Sequence, residues 1–151
     1  MKTILAPLDF SEVSGAVVAQ ASVLARACAG RVVLLNVIQP PVITSEYAPL
    51  TENLAEMSLG GERAAAKQLA TIEEQLKADS IPVETLQLTG APVAHVVEQA
   101  QKFSADYIVM GSHGHTAVYD LLVGSTTHGV LKRARCPVVI VPPSKARATK
   151  K

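Results

Sequence analysis

Tryptophan is absent, and phenylalanine and tyrosine together make up only 3% of the 151 residues. A core built around large rings is therefore excluded. The interior must be assembled from Ala, Val, Leu and Ile, which supply most of a 48% hydrophobic content. The only cysteines, Cys28 and Cys136, lie far apart and form no C-x-x-C. Both read as small core hydrophobes in a reducing cytosol. An excess of one charge sign is missing too: the formal net charge is +1, which leaves no global electrostatic reason to expect nucleic acid or an acidic membrane as partner. No apolar run approaches the length of a membrane-spanning helix. The opening MKTILAPLDF gives only Thr3 to Leu8 before Asp9, too short for a signal peptide. A soluble cytoplasmic domain is expected.

What is present is a regular alternation. Thr3–Ala6 is an apolar run bounded by Pro7, and a helix is predicted from about Glu12 to Ala29, with Val17, Ala21, Leu24 and Cys28 at helical spacing and Gly30 as its C-cap. Arg31–Ile38 (RVVLLNVI) is apolar along most of its length; continuous rather than alternating hydrophobicity marks a strand covered on both faces, hence a parallel sheet. From Gln39 to about Ser58 the sequence shows no clean period and reads as a long loop, with a short helical turn over Asn53–Met57 at most. A helix over Gly61–Asp79 carries Ala65, Leu69, Ile72 and Leu76 on one face. Pro82–Leu88 is a weaker strand suited to a sheet edge. Gly90-Ala91-Pro92 starts a helix with a Val93, Val96, Val97, Ala100 stripe, proline standing well at the first helical position. Tyr107–Met110, Ser125–Ala134 and Pro137–Val141 complete the set.

Five strands alternating with four helices call for right-handed crossovers and an open α/β sheet with helices on both faces, one domain over 1–143 followed by a basic, solvated tail over 144–151. Such sheets bind ligands beyond the carboxyl ends of the strands, where the strand order reverses. With the order 3-2-1-4-5 the reversal brings Pro7-Leu8-Asp9 beside Gly111-Ser112-His113-Gly114. The order 2-1-3-4-5 would move the site away from the glycine loop.

The stretch Asp106–Thr127, DYIVMGSHGHTAVYDLLVGSTT, carries the chemistry. A buried strand breaks at Gly111; Gly114 follows, and nine residues later Gly124-Ser125 opens a helix. Glycines at a strand exit let backbone N–H groups converge, and a helix N-terminus adds donors and a positive dipole end. Together they form a cradle for an anion, most naturally phosphate, although single loop glycines are also ordinary turn chemistry. Ser125, Thr126 and Thr127 bring three hydroxyls, with Ser125 equally suited to capping its helix. Asp9 can accept hydrogen bonds from a ribose or a base, or it (or Ser11) can cap the first helix. No G-K-S/T is present, so this is no P-loop. His113 and His115, two apart, invite a metal reading, but nothing nearby supplies cysteines and His95 and His128 fall on separate predicted helices. Asp120 is a candidate for assisting a phosphate-bound Mg²⁺ or Mn²⁺. Spacing assigns no residue as a general base.

GSHGHTAVYDLLVGS, with G-x-x-G, nine residues and G-S, resembles the nucleotide-binding signature of the universal stress protein family. The likeness extends over essentially the whole chain: ILAPLDFSE is similar to the family's opening strand and aspartate, LLNVI to its second strand, Gly90-Ala91-Pro92 to its G-x-P helix start, and GSTTHGVLKRARCPVVIV to its C-terminal end. The resemblance implies a Rossmann-like, adenine nucleotide alpha hydrolase-like fold that binds ATP, with Mg²⁺ or Mn²⁺. It implies Pro7, Asp9 and Val37 around adenine and ribose, Met110 and Gly111 near the ribose, and His113, Gly114, Gly124, Ser125, Thr126 and Thr127 at the phosphates. Asn36 stands where the family often has histidine, His113 where many members have arginine, and Thr126 where a small apolar residue is commoner. Val138–Val141, an apolar strand at a sheet edge, is one that a partner should cover; the resemblance implies a homodimer paired through it. The expected function is a homodimeric, cytoplasmic, ATP-binding stress-response regulator acting on an unidentified protein partner, with neither nucleic acid nor membrane as a target. The alternatives are a slow ATPase on the same fold, or a dimerising interaction protein without nucleotide.

Overall fold

The structure, a computed structural model, describes residues 1–40, 51–114 and 122–143, with the backbone alone for 51–58. Its elements follow as β1 (Thr3–Pro7), α1 (Ser14–Cys28), β2 (Arg31–Ile38), α2 (Thr51–Ala78), β3 (Val83–Thr89), α3 (Pro92–Lys102), β4 (Tyr107–Gly111), α4 (Ser125–Arg133) and β5 (Val138–Val141). The strands form one sheet in the order β3-β2-β1-β4-β5, every pairing parallel. The alternative order 2-1-3-4-5 is therefore set aside, and β1 and β4 lie side by side, with Leu5 in register with Ile108.

The apolar runs become central strands because both faces are covered. On one face Ile4, Ala6, Val32, Leu34 and Val109 pack under Val17, Ala21 and Ala25 of α1 and Leu69 and Leu76 of α2. On the other, Leu5, Val33, Leu35, Ile108 and Met110 meet Val96 of α3 and Val130 of α4. Each fully buried Val, Leu or Ile contributes roughly 1.5–3 kcal/mol relative to exposure, so the aliphatic core needs no rings. β3, at one edge, has no fully buried residue, in keeping with its weaker hydrophobicity. Among the described residues no helix is long and apolar enough to cross a membrane.

Three local expectations are corrected. α1 starts at Ser14 rather than Glu12, and Ala25 joins Val17 and Ala21 in its buried stripe with Leu24 packed against it; Cys28 is only half-buried and belongs to neither core. The left-handed residue ending α1 is Ala29 (φ 50°), while Gly30 serves close packing, because a Cβ there would lie 2.6 Å from the Lys2 carbonyl. α2 begins at Thr51, ten residues before the predicted start, and runs straight through Gly60 and Gly61. Glycine in a helix interior costs about 1 kcal/mol relative to alanine, and a long helix anchored by Ala65, Leu69 and Leu76 absorbs that. The Asn53–Met57 turn is thus part of α2. Residues 41–50 of the expected loop and the tail 144–151 lie outside the described residues.

Candidate functional site

β1 and β4 are neighbours whose following connections leave in opposite directions, so a crevice opens beyond their carboxyl ends. It is a cavity of about 420 Å³, within the range of small-molecule sites. Pro7, Asp9, Val37, Met110, Gly111, His113, Gly114, Gly124, Ser125, Thr126 and Thr127 all line it, so the structure brings together in one place the residues for which the resemblance implied a nucleotide contact. Leu8 lies in the loop that sequence reasoning placed at the crevice, while Val13, Ser14, Val17, Leu35, Asn36, Gln39, Pro92 and Val96 were missed. Of these only Asn36, a lone polar residue inside RVVLLNVI, and Pro92 carried a signal; Val13 and Val17 read simply as helix core.

The turn after β1 is held from both sides. The Leu8 N–H donates to the Leu35 carbonyl at 2.8 Å, and the Leu8 carbonyl accepts from Asn36 Nδ2 at 2.9 Å. Asn36 is 5% exposed, and its Oδ1 in turn faces Gln87 Nε2 at 3.5 Å, in register on β3. The amide thus uses its donor and its acceptor inside the protein. Asp9 Oδ1 accepts from the Ser11 N–H at 3.0 Å and from Ser14 Oγ at 3.4 Å, closing the turn rather than capping α1, whose N-cap is Val13 without a side-chain hydrogen bond. The capping role expected for Asp9 or Ser11 is therefore not made.

The glycines of the β4 loop divide into two kinds. A Cβ at Gly111 would run into Val13 Cγ1, and one at Gly114 into Asp9 Oδ2. Val13 is buried and β-branched, so Gly111 is required by the protein's own packing, whereas at Gly114 the Asp9 carboxylate, the end of an exposed side chain, is all that would have to move. Gly124 differs: its backbone (φ −71°, ψ 170°) is ordinary for any residue, and a Cβ would stand 3.5 Å from the Ser112 carbonyl oxygen and His113 Cα and 4.0 Å from the Gly114 nitrogen. Gly124 is the N-cap of α4 with no side-chain cap, so the capping role open to Ser125 is not made either; Ser125 is the first helical residue. The first N–H groups of a helix have no intrahelical acceptor, and here Ser125, Thr126 and Thr127 line the cavity. Thr127 Oγ1 instead donates to the Gly111 carbonyl at 2.7 Å, and the Gly124 N–H donates to the Ser112 carbonyl at 2.7 Å. His113 is buried, its Nδ1 3.0 Å from Ser112 Oγ.

His115 and Asp120 lie outside the described residues, and with them the two-histidine and Asp120 metal readings. His95 and His128 stand on α3 and α4. Among the described residues no group of three His, Cys, Asp or Glu could hold a metal ion. The perturbed titrating groups sit at the opposite end of the sheet. There the Thr3 N–H donates to Asp106 Oδ2 at 2.8 Å and holds that carboxyl below its usual range, aided by Lys2 against partial burial. Burial, then the charge of Asp106, pushes the Cys136 thiol up.

The architecture and the signature recur in known proteins. A profile of the Universal stress protein family matches residues 1–142. Universal stress protein MJ0531 of Methanocaldococcus jannaschii is 30% identical over 141 residues, covering 93% of this chain and 81% of that protein. The solved structure of hypothetical protein MJ0577, from the same organism, superposes with a TM-score of 0.78 at 30% identity over 93% of this chain and 95% of that one. Universal stress protein UspA from Lactobacillus plantarum shares the fold, with a TM-score of 0.82 at 22% identity over 93% and 97% of the two chains. With a family match spanning nearly the whole described sheet and its glycine loop, the chain belongs to the universal stress protein family.

Proposed function

We propose that the cavity binds an adenine nucleotide, ATP carrying Mg²⁺ or Mn²⁺, and that the protein is a homodimeric, cytoplasmic stress-response regulator whose nucleotide state influences a protein partner. The observation that carries this reading is Gly124. Packing accounts for Gly111, and at Gly114 a side chain would displace the Asp9 carboxylate, but the protein itself has no need of a missing side chain at Gly124. Ser, Asp and Asn lead glycine by a little at helix N-caps, so capping by itself favours them there. A ligand approaching the backbone between the Ser112–Gly114 loop and α4 accounts for the glycine.

The lining suits the ligand part by part. Pro7, Val37 and Met110, with Leu35 and Val96, give apolar walls for adenine and ribose, and Asp9 stands at the rim as a hydrogen-bond acceptor. His113, Gly114, Gly124, Ser125 and Thr126 face the phosphates, where backbone N–H groups and the helix dipole favour negative charge. The described lining contains no lysine or arginine, so binding rather than rapid turnover is expected. A divalent ion would neutralise the phosphate chain.

Dimerisation is supported by β5. The Pro137 and Val141 carbonyls accept from the Ile108 and Ser112 N–H groups of the β4 side. Alternation along a strand then turns the backbone groups of Val138 and Ile140 outward. Among the described residues no strand pairs with that outer side. A second copy satisfies those groups and covers the apolar edge.

The test is to purify the protein without added nucleotide, denature it, and identify any released small molecule by chromatography, with Gly124→Ala alongside. ATP from wild type but not from the variant supports the reading. ADP or AMP indicates turnover or another preference. An empty protein that also fails to bind Mg-ATP into the high micromolar range refutes nucleotide binding and leaves the dimerising interaction protein.

A further inference from the structure

Of the hydroxyls at the start of α4, Thr127's is spent inside the protein. Thr127 is 3% exposed, and its Oγ1 donates to the carbonyl of Gly111, the last residue of β4. One residue further along the β4 exit, the Ser112 carbonyl accepts from the Gly124 N–H, while the Ser112 N–H is tied to the Val141 carbonyl at 2.9 Å. Two hydrogen bonds thus reach from the beginning of α4 to two consecutive carbonyls of the β4 exit, and the second carbonyl's residue is itself fastened to β5. A hydroxyl in a first helical turn commonly serves its own helix or solvent. Here it crosses to a neighbouring strand, underneath the cavity that the same turn lines.

We infer that Thr127 is a positioning residue: its hydroxyl fixes the open N–H groups of the first turn of α4 at a set distance from the Ser112–Gly114 loop, and so sets the width of the anion cradle. The inference rests on the nucleotide reading given above and assigns Thr127 a different job from Ser125 and Thr126, which line the cavity. Without the bond, the partly buried Gly111 carbonyl loses this donor, and of the two hydrogen bonds between the β4 exit and the start of α4 only that of the Gly124 N–H remains. The converging donors then loosen at the phosphate end. The adenine end, walled by Pro7 and Val37 across the crevice, is left as it was. The signature of positioning is therefore a split between ligands that reach the cradle and ligands that do not.

The experiment compares Mg-ATP and adenosine binding by calorimetry for wild type, Thr127→Val and Thr127→Ser. Thr127→Val keeps shape and removes the donor; it is expected to weaken Mg-ATP on the order of tenfold, the lower worth of a hydrogen bond to a charged group, and to change adenosine by no more than about twofold. Thr127→Ser restores the donor and brings Mg-ATP binding back to within about threefold of wild type. The proposal is overturned if Thr127→Val binds Mg-ATP as wild type does, if it loses both ligands equally, or if serine fails to rescue. Wild type binding neither ligand is a failure of the nucleotide reading and takes the proposal with it; wild type binding both, with no split in the variant, overturns the positioning role alone. Circular dichroism checks folding first. Should Thr127→Val not fold, Thr127→Ala, which also lacks the donor and is smaller, carries the same comparison.

Discussion

Gly124→Ala should leave the free protein standing and damage only its ligand site, and the balance can be worked through. The backbone at Gly124 is open to any L residue, and the added Cβ meets its nearest neighbours at 3.5 Å, ordinary van der Waals contact. Replacing glycine where no strain results stabilises by about 0.4–1 kcal/mol through the unfolded chain. Alanine is a poorer N-cap than glycine, a loss of roughly the same size. The two offset, and stability should stay within about 1 kcal/mol of wild type. Gly111→Ala is the contrast. Its Cβ would collide with Val13, which is 5% exposed and whose carbonyl accepts the Val17 N–H at 3.0 Å, so Val13 cannot retreat without moving α1. Overpacking of this kind costs about 1–3 kcal/mol, or roughly 2–12 °C in melting temperature for a chain of this size. Urea unfolding at constant m gives both numbers, and Mg-ATP titration on the same samples gives the other half. Adding Val13→Ala to Gly111→Ala should make the double variant more stable than the sum of the singles by about 1 kcal/mol or more. The reasoning is refuted if Gly124→Ala loses as much stability as Gly111→Ala, or if it stays stable and binds Mg-ATP as tightly as wild type.

Ile140→Pro removes an N–H on the outer side of β5 while leaving the β4 ladder intact, so size-exclusion with light scattering should show monomer in place of dimer and a folded circular dichroism spectrum; persistence of the dimer would place its interface elsewhere. Asn36→Asp turns an oxygen toward the Leu8 carbonyl and leaves that buried acceptor unpaired, and a loss of about 1–3 kcal/mol in urea unfolding is expected. A variant as stable as wild type would mean the amide does not hold the β1 turn. Asp106 has a depressed folded pKa, so it contributes stability above the unfolded carboxyl value near about pH 4 that is lost as pH falls through the folded value. Asp106→Asn should therefore flatten the acid limb of the stability curve, and an unchanged limb would contradict the Thr3 contact as its cause. Cys136 should alkylate more slowly than a free thiol near pH 7.5, as judged by mass spectrometry with iodoacetamide; since burial outweighs the charge of Asp106, Asp106→Asn should speed it only modestly.

The sheet was legible because its signal is collective. RVVLLNVI and YIVM are apolar on both faces, and only a strand covered by helices on both sides satisfies that, so element type and parallel pairing followed from pattern alone. Strand order was not contained in that pattern: both 3-2-1-4-5 and 2-1-3-4-5 bury the same runs, and what separates them is which strand β1 meets, a contact between residues about a hundred positions apart. The start of α2 was missed for the opposite reason. Gly60-Gly61 is a local break signal, and it was overruled by packing of the helix further along.

The site shows the same division at finer grain. Composition and spacing pick out donors and acceptors but do not say which of them the fold has already used. Asp9 and Thr127 look alike in sequence, as polar residues close to the start of a helix, yet Asp9 Oδ1 closes its own turn and the Thr127 hydroxyl is consumed by Gly111. Asn36 looks like a defect in a strand and proves to be the clamp on the β1 turn. The glycines reverse their standing in the same way. Gly111 and Gly114 gave the signature its first two positions, but Val13 explains Gly111 without any ligand and a side chain at Gly114 would displace the Asp9 carboxylate, whereas Gly124, which has no packing reason to be glycine, is the one whose identity points outward. A signature residue is informative about binding to the degree that the free protein does not need it, and by that measure the weight of the nucleotide reading falls on the junction between the Ser112–Gly114 loop and the first turn of α4.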